Sequence, residues 1–391
     1  MIPYLIPLLM ILYCMIQYDI NGRVENKSAW YYGIMIYLIL LSGFAYRLGG
    51  DGQTYLREYS EYSLSDGFGW AVLGKYPGRL PGWVLLNKLC RVVCKDYWFF
   101  KLVHATLLNV LMFFGIKNVS KWIFTCLLFY FVLVFADINF QLLRQALAIG
   151  IFLNAIPFFE RNEWGKYYLV CALGLLFHES ILIAFLVPLV KLVKLTTKGL
   201  IVYVCVILVF FVLSGSIVNS LLNVLLSGSE VSLKVLHYSN EVEVCLHFSF
   251  LLNVLLNGII PLLFLYVFSK EGRHTSLMYL TLVYVFIYSV GLYIPILYRF
   301  NFYFLLFFYS FFIEIFKFLA KKVKRFRLGP FKFNPGFVFL CLCLVLVLYK
   351  SKVYFLSYGD SPYPVYVQYY PYSSILTRNT NAAREALFAW F

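Results

Sequence analysis

Residues 165–193 read GKYYLVCALGLLFHESILIAFLVPLVKLV, two apolar runs that meet at the polar triplet His178-Glu179-Ser180. Each run is about 13 to 15 residues long, whereas a helix needs about 20 apolar residues to cross a bilayer. Short apolar segments of this kind indicate a broken or re-entrant helix pair whose ends present backbone dipoles to a cavity. One long kinked helix is the alternative. The stretch therefore predicts a membrane protein with an interrupted helix near residue 178.

The whole chain has the composition of an integral membrane protein. Of its 391 residues, 62% are hydrophobic and 13% are charged, against about 25% charged residues in an average soluble domain. The net charge of +15 comes from 33 Lys+Arg and 18 Asp+Glu. These basic residues lie mostly in short loops, where they set the orientation in the membrane. We therefore expect the lipid bilayer, and not a nucleic acid, as the partner of this charge.

Hydropathy and helix breakers predict an all-α, polytopic fold with about twelve transmembrane helices in a single membrane domain over 1–391. The first helix is interpreted as a retained span, because no basic region precedes it and no small-residue cleavage site follows it. The predicted spans are 2–18, 29–46, 97–116, 120–136, 140–159, 165–177, 179–193, 199–226, 245–269, 275–294, 298–317 and 335–350.

One alternating set of loops between these spans is basic, which places that set in the cytoplasm. Its members are Arg23/Lys27, Lys117/Lys121, Arg161/Lys166, Lys191/Lys194/Lys198, Lys270/Arg273 and the cluster Lys317–Lys332. The other set is neutral or acidic, as in 227–244. Both termini, the segment 47–96 and the tail 351–391 are therefore predicted outside the cytoplasm. Within 47–96 we expect an amphipathic helix at about 80–94 that lies on the membrane surface.

Four ionisable residues lie at the ends of apolar segments, all on the predicted outer side: Asp51, Arg144, His178 and Arg299. Charge at membrane depth is costly, so such residues usually face a bundle interior or a water-filled cavity and have a function. Two cations, an imidazole and a carboxylate on one side of the membrane indicate a site for an anionic, phosphorylated ligand.

The two arginines are the candidate phosphate ligands. A guanidinium keeps its charge in almost any environment and matches phosphate oxygens with two donors. Arg144 opens an apolar helix together with Gln145, and Arg299 begins a span on the side where basic residues are disfavoured. The alternative for Arg144 is a topology anchor, or an ion pair with the nearby Asp137.

His178 and Asp51 are the candidate bases. Imidazole is the usual general base near neutral pH and can also donate to a phosphate oxygen, although a lone histidine is more often structural. Asp51 follows two glycines that let the chain turn sharply after the second span. It could act as a base for a sugar hydroxyl, or it could cap a helix that begins near Thr54.

Six short motifs in this order resemble those of the EpsG-like and Wzy-type polysaccharide polymerases, over about residues 40–375. They are Gly50-Asp51 with Tyr55, Leu80-Pro-Gly-Trp83-Val-Leu-Leu-Asn87, Leu143-Arg-Gln-Ala-Leu-Ala148, Phe177-His178-Glu-Ser180, Tyr298-Arg299 and Tyr370-Pro-Tyr372. One departure is Leu80, because many relatives carry an acidic residue before the Pro-Gly pair. Any role of that carboxylate is absent here.

The resemblance implies a GT-C-like membrane glycosyltransferase in the bacterial inner (plasma) membrane, with its active site facing the periplasm or cell exterior. Such an enzyme polymerises lipid-linked oligosaccharide repeat units into O-antigen (lipopolysaccharide) or exopolysaccharide. The growing glycan moves from undecaprenyl diphosphate to a hydroxyl of the next lipid-linked unit. The leaving diphosphate supplies the energy, so neither a cofactor nor a metal is expected. A chain-length regulator is a further expected partner.

On this basis Arg144 and Arg299 would bind the diphosphate, and Gln145 and Tyr55 would orient the substrate. Asp51 would be the base for the acceptor hydroxyl, and His178 either the base or a second diphosphate contact. The main rival is a flippase for lipid-linked oligosaccharides, which would need cations at both depths of a cavity. An O-antigen ligase shares nearly all of the proposed chemistry, whereas a sugar O-acyltransferase would place its histidine toward a cytoplasmic donor.

Overall fold

The computed structural model describes residues 2–65, 67–69, 76, 78–213, 248–273, 275–292, 295–323, 327–328, 331–332, 334–357 and 362–388. These residues are almost entirely helical. The α-helices are α1 Ile2–Cys14, α2 Lys27–Gly43, α3 Asp51–Glu61, α4 Pro81–Val93, α5 Tyr97–Val119, α6 Ile123–Leu133, α7 Leu143–Glu160, α8 Trp164–Leu175, α9 Leu182–Leu186, α10 Thr197–Leu213, α11 Phe248–Val254, α12 Ile260–Lys270, α13 Ser276–Gly291, α14 Asn301–Val323, α15 Pro335–Ser351 and α16 Ala382–Phe388.

Shorter helical turns join several of these helices. The π-helical turns are Met15–Ile20, Asp137–Gln141 and Leu255–Ile259, and the 3-10 turns are Glu179–Ile181, Val187–Leu192, Pro295–Phe300, Lys352–Phe355 and Val365–Gln368. A hairpin of two-residue strands, β1 Arg327–Leu328 and β2 Phe331–Lys332, lies within the predicted basic cluster. The all-α prediction did not include this hairpin.

The prediction of a polytopic membrane protein is confirmed, but a count of twelve spans is not. By length and composition, six helical stretches of the described chain can cross a membrane: Ile2–Ile20, Tyr97–Val119, Leu143–Glu160, Phe250–Lys270, Leu297–Lys322 and Pro335–Phe355. Three shorter apolar helices are Ile123–Leu133, Thr197–Val209 and Ser276–Gly291. The second predicted span is the 17-residue helix α2. The predicted outer loop 227–244 and the end of the span 199–226 lie outside the described residues.

The helix break predicted near residue 178 is present. Helix α8 ends at Leu175, and His178 has an extended backbone with φ −155° and ψ 131°. The chain then continues through two 3-10 turns separated by the five-residue helix α9. The two apolar runs therefore do not form one kinked helix.

The described chain divides into two compact units, Met1–Leu182 with Phe316–Phe391, and Ile183–Ile315. In the first unit, α5 packs against α2 on one side and against α7 on the other, and α7 packs against α8. Glycines permit the close approach of α5 and α7, because a Cβ at Gly115 would lie 2.6 Å from Leu153 Cβ, and one at Gly150 would lie 2.8 Å from Leu111 Cβ. Small residues at helix contacts are typical of membrane bundles.

In the second unit, α12 and α13 pack against α10. The Tyr284 hydroxyl of α13 donates to Asn257 Oδ1 at 2.9 Å, and the Tyr284 ring stacks on Phe308 of α14 with ring centroids 4.1 Å apart. Polar contacts inside an apolar bundle satisfy groups that lipid cannot. They fix the rotation of α13 within this unit.

Helix α4 is the amphipathic helix predicted at about 80–94. Trp83 and Asn87 are buried against the first unit, whereas Leu85, Leu89 and Val92 are exposed along one stripe of the helix. Apolar residues at a spacing of three and four form one helix face. Such a face is suited to contact with lipid, as the prediction requires.

The C-terminal tail is tied to the segment between α2 and α3. The Tyr46 N–H donates to Ser373 O at 2.9 Å, and the Ile375 N–H donates to Phe44 O at 2.9 Å. Arg47 also forms an ion pair with Glu385 of α16, at 2.5 Å. These contacts fix the start of α3, which carries Asp51.

Candidate functional site

Helix α3 positions Asp51, Tyr55 and Glu58 on one face, because residues four and then three apart lie above one another in a helix. Its start differs from the expectation, since the helix begins at Asp51 and not near Thr54. Gly50 occupies the N-cap position, so Asp51 lies in the first turn and is not the capping residue. Asp51 is exposed, whereas Tyr55 is buried against Trp83 with ring centroids 5.3 Å apart.

Gly49 brings this helix start close to the turn that precedes Arg144. Its φ of +77° lies in the left-handed region, and a Cβ there would meet Phe140 O at 2.4 Å. The Gly49 N–H donates to Gln368 O at 3.1 Å. Only glycine combines this backbone conformation with so close an approach. The predicted sharp turn before Asp51 is therefore also a contact between two parts of the site.

Arg144 lies in the first turn of α7, directly after the π-helical turn Asp137–Gln141. Its Nη1 donates to Gly78 O at 2.9 Å. Its Nε is buried, and the described part of the chain offers that atom no acceptor. A buried N–H without an acceptor costs about 1–3 kcal/mol. Arg144 thus reaches the surface through Nη1 and keeps one donor that no described residue satisfies.

The alternative pairing of Arg144 with Asp137 is wrong. The Tyr369 hydroxyl lies 2.8 Å from Asp137 Oδ1, and the Tyr354 hydroxyl donates to Asp137 Oδ2 at 3.3 Å. Burial raises the pKa of the Asp137 carboxyl to about 6, although both tyrosine hydrogen bonds oppose this effect. Asp137 is therefore held by tyrosines of the C-terminal region, and Arg144 keeps its guanidinium for other partners.

Tyr55 is hydrogen-bonded to Arg144 and lies one helical turn after Asp51. Burial raises the pKa of Tyr55, and the charge of Arg144 together with a hydrogen bond from it opposes this rise, whereas the charge of Asp51 reinforces it. The charges of Asp51 and Arg144 therefore act on Tyr55 in opposite directions. Three of the six candidate residues lie together in the first unit.

His178 has a defined hydrogen-bonding state. The Ser180 N–H donates to His178 Nδ1 at 3.1 Å, and Ser180 Oγ lies 2.8 Å from the same nitrogen. A nitrogen that accepts from a backbone N–H carries no proton, so in the neutral ring the proton is on Nε2. In this arrangement Nε2 carries the proton of the neutral ring, and Nδ1 accepts from Ser180.

Two of the sequence motifs meet directly next to His178. A Cβ on Gly82 would lie 2.7 Å from Leu176 Cβ, and the Trp83 N–H donates to Leu176 O at 3.2 Å. The start of α4 therefore packs on the residues that lead into the helix break. Because Trp83 also contacts Tyr55, α4 lies between the helix break and the face of α3.

Gln145 and Arg299 are the remaining two candidate residues. Gln145 is 2% exposed on α7, so its side chain is part of the helix packing of the first unit. Arg299 is exposed in the 3-10 turn Pro295–Phe300 of the second unit, just before α14.

The sequence did not single out a second arginine at this group. Arg79 donates through Nε to Glu58 Oε2 at 2.9 Å and through Nη2 to Glu58 Oε1, and its Nη1 donates to Gly78 O at 3.1 Å. The spacing of Glu58 from Asp51 and Tyr55 was a usable signal, since it placed a second carboxylate on the same face of α3.

Two buried basic residues in the span α5, Lys101 and His104, were also missed. Lys101 is 5% exposed and donates to Asn139 O at 2.5 Å, and His104 Nε2 lies 2.9 Å from Leu143 O. Ionisable residues within an apolar span were the available signal. Both side chains bond to backbone next to Arg144, and they help to fix the start of α7.

The group around Tyr55 can bind an oxyanion and can hold a proton. Guanidinium donors suit phosphate oxygens, and the exposed Asp51 carboxylate can accept a proton from a hydroxyl in the same place.

Comparison with curated proteins gives no match, and comparison with solved structures gives none either. The model of the EpsG family matches residues 28–374, a range that contains all six candidate residues. With most of its length matched, this chain belongs to the EpsG family.

Proposed function

We propose that this protein is a membrane glycosyltransferase that polymerises lipid-linked oligosaccharide repeat units at the outer face of a bacterial plasma membrane. The observation that carries the proposal is the group of Asp51, Tyr55 and Arg144, in which Arg144 bonds to the buried Tyr55 and Asp51 lies one helical turn before Tyr55. Membership of the EpsG family supports a polysaccharide polymerase. The predicted orientation supports the outer face.

In the proposed reaction, the bond between the anomeric carbon of the growing glycan and the diphosphate oxygen breaks. A new bond forms between that carbon and a hydroxyl oxygen of the next lipid-linked unit. Undecaprenyl diphosphate is the leaving group and takes the electron pair of the broken bond. The hydroxyl proton passes to the Asp51 carboxylate. Preorganised cations that meet developing charge are usually the largest contribution to catalysis, and Arg144 has this role.

His178 is assigned to the diphosphate and not to the proton transfer. Because the Ser180 N–H occupies Nδ1, the ring can donate from Nε2 but has no unoccupied basic nitrogen for a hydroxyl proton. This choice supports Asp51 as the base. Tyr55 orients both groups, and Gln145 supports the start of α7.

Arg299 remains a proposed diphosphate ligand on its sequence context alone. Its position before a span on the predicted outer side is the argument for it. Undecaprenyl-diphosphate-linked oligosaccharides are the proposed substrates, and a chain-length regulator is a proposed partner.

Envelope polysaccharide from cells that lack this protein tests the proposed function. Deletion should leave single capped repeat units, and wild type should restore a ladder of polymers on a gel. Asp51→Asn at equal expression should not restore it. Loss of even the single unit on deletion would favour a flippase, and normal polymer that is not attached to its final acceptor would favour a ligase.

A further inference from the structure

Two guanidinium groups converge on one oxygen atom in the first unit. Arg144 Nη1 lies 2.9 Å from Gly78 O, and Arg79 Nη1 lies 3.1 Å from the same oxygen. Both hydrogen bonds are accessible to solvent. The two positive charges repel each other, and the neutral Gly78 carbonyl offsets this repulsion less than an anionic oxygen would. An oxygen at this position receives donors from both arginines.

Glu58 fixes the orientation of Arg79. Two of the guanidinium nitrogens of Arg79, Nε and Nη2, bind the two carboxylate oxygens of Glu58, which leaves Nη1 for Gly78 O. Such a paired geometry orders the guanidinium plane. The Arg79 side chain is 22% exposed and that of Glu58 is 16% exposed, so the pair is held by the protein and still reaches the surface.

The two arginines also act on the same tyrosines. Burial raises the pKa of Tyr55, and the charges of Arg144 and Arg79 both oppose that rise. The same two charges lower the pKa of Tyr62, which burial raises most. Arg79 and Arg144 therefore flank one patch on α3, next to Asp51.

We propose that Arg79 is a second diphosphate ligand, and that a phosphate oxygen of the lipid-linked substrate takes the place of Gly78 O between Arg79 and Arg144. This assignment rests on the proposed function. Phosphate is the better acceptor for two guanidinium groups because it is charged and has several oxygens. Glu58 is then a positioning residue that acts through Arg79.

The competing explanation is that the Arg79–Glu58 pair only ties the segment before α4 to α3. The two explanations differ for paired substitutions. If the ion pair has only this structural role, loss of either partner should weaken ligand binding equally. Exchange of the two charges should then restore binding. A ligand role depends on the position of Arg79 itself, so an exchange of charges cannot restore it.

The test measures binding of farnesyl diphosphate to the purified full-length protein in lipid nanodiscs, with farnesol as the uncharged reference. Arg79→Gln should weaken binding of the diphosphate about tenfold to a hundredfold, the range for a hydrogen bond to a charged group. Glu58→Gln should weaken it less than Arg79→Gln. The double variant Glu58→Arg/Arg79→Glu should bind as poorly as Arg79→Gln, and farnesol binding should not change.

Arg79→Lys keeps a positive charge beside Glu58, so it separates a loss of ligand binding from a loss of protein stability. It should unfold at the wild-type temperature and still bind the diphosphate several-fold more weakly. Equal losses in Arg79→Gln and Glu58→Gln, with recovery in the double variant, would overturn the assignment. If Arg144→Gln abolishes binding and Arg79→Gln does not, Arg79 is excluded while the proposed function stands. If wild type prefers farnesol or binds neither, the proposed function fails and this assignment fails with it.

Discussion

As an arginine, residue 144 offers a phosphate more than one hydrogen-bond donor in a fixed geometry, which lysine does not. Its Nη1 bonds to Gly78 O, and its buried Nε has no acceptor among the described residues. We predict that Arg144→Lys lowers polymer synthesis about tenfold to a hundredfold, because lysine keeps the charge but loses the second donor. The measurement is the rate of ladder formation from lipid-linked units in membranes with equal amounts of protein.

The control for this prediction is Arg161→Lys. Arg161 is exposed at the end of α7 and bonds to Pro157 O and Glu163, away from the candidate site. This variant should retain the wild-type rate. Near-normal polymer from Arg144→Lys would reduce Arg144 to a topology anchor.

Asp137 gives a prediction for the pH dependence of stability. Burial raises the pKa of its carboxyl from 3.8 to about 6. The folded protein therefore holds this proton more tightly than the unfolded chain does, so the free energy of unfolding falls as pH rises from about 4 to 6. Each pKa unit corresponds to about 1.4 kcal/mol, which limits the loss to about 3 kcal/mol.

Asp137→Asn should remove this loss, since the amide oxygen can still accept a hydrogen bond from Tyr369. The expected result is a variant that is more stable than wild type at pH 7.5 and no more stable at pH 4, measured by thermal unfolding in detergent. A stability difference that does not change between the two pH values would show that the Asp137 carboxyl does not titrate in this window.

At the residue scale, the sequence indicated Asp51 and Arg144 because each follows a glycine pair or the start of an apolar segment, whereas Tyr55 was indicated by the resemblance to polysaccharide polymerases. It did not indicate Arg79, whose contacts with Glu58 and Gly78 depend on how the segment between α3 and α4 returns to α3. It also left open whether Asp51 or His178 is the base. In the structure the Ser180 N–H donates to His178 Nδ1, and the direction of that N–H follows from the extended conformation at the helix break.

At the scale of elements, the connection between α2 and α3 is the most constrained turn of the site. Gly49 combines a φ of +77° with a Cβ position 2.4 Å from Phe140 O. We predict that Gly49→Ala destabilises the protein by more than about 2 kcal/mol, because a left-handed backbone and a steric conflict add together. The measurement is the unfolding midpoint of the purified protein.

Gly22 provides a matched control for this substitution. It has a φ of +72°, but a Cβ there would have nothing within 4 Å. Gly22→Ala should therefore cost only the backbone term, about 1 kcal/mol. Equal effects of the two alanines would mean that the contact with Phe140 does not constrain the site.

Hydrophobic pattern and length predicted the amphipathic helix α4 and the break after α8, since both depend on local sequence. The π-helical turn Asp137–Gln141 has no comparable local signal. It is held by distant partners, with Tyr369 2.8 Å from both Asp137 Oδ1 and Gln141 Oε1. The tie between the tail and the segment 44–49 is likewise a contact across more than 300 positions, and periodicity carries no information about it.

At the scale of the whole molecule, apolar composition was sufficient to predict a polytopic helical membrane protein. It was not sufficient to count the spans, because several apolar helices are shorter than a bilayer is thick. For example, α6 has 11 residues and α8 has 12. A hydropathy window cannot distinguish such helices from full spans.

The orientation in the membrane can be tested with reporter fusions, and the fold adds a constraint that the charge pattern does not contain. We expect fusions after Arg161 and Lys194 to report the cytoplasm, and fusions after Asp51 and Tyr363 to report the outside. Gly49 bonds to Gln368 and Tyr46 bonds to Ser373, so Asp51 and Tyr363 must report the same side whatever the charge rule predicts.

Helix α7 has 18 residues, about 27 Å at 1.5 Å per residue, and carries Arg144 at one end and Glu160 at the other. Arg161 must therefore report the side opposite to Asp51. Fusions that place Asp51 and Arg161 on one side would contradict α7 as a span and would remove the argument for a site at the outer face.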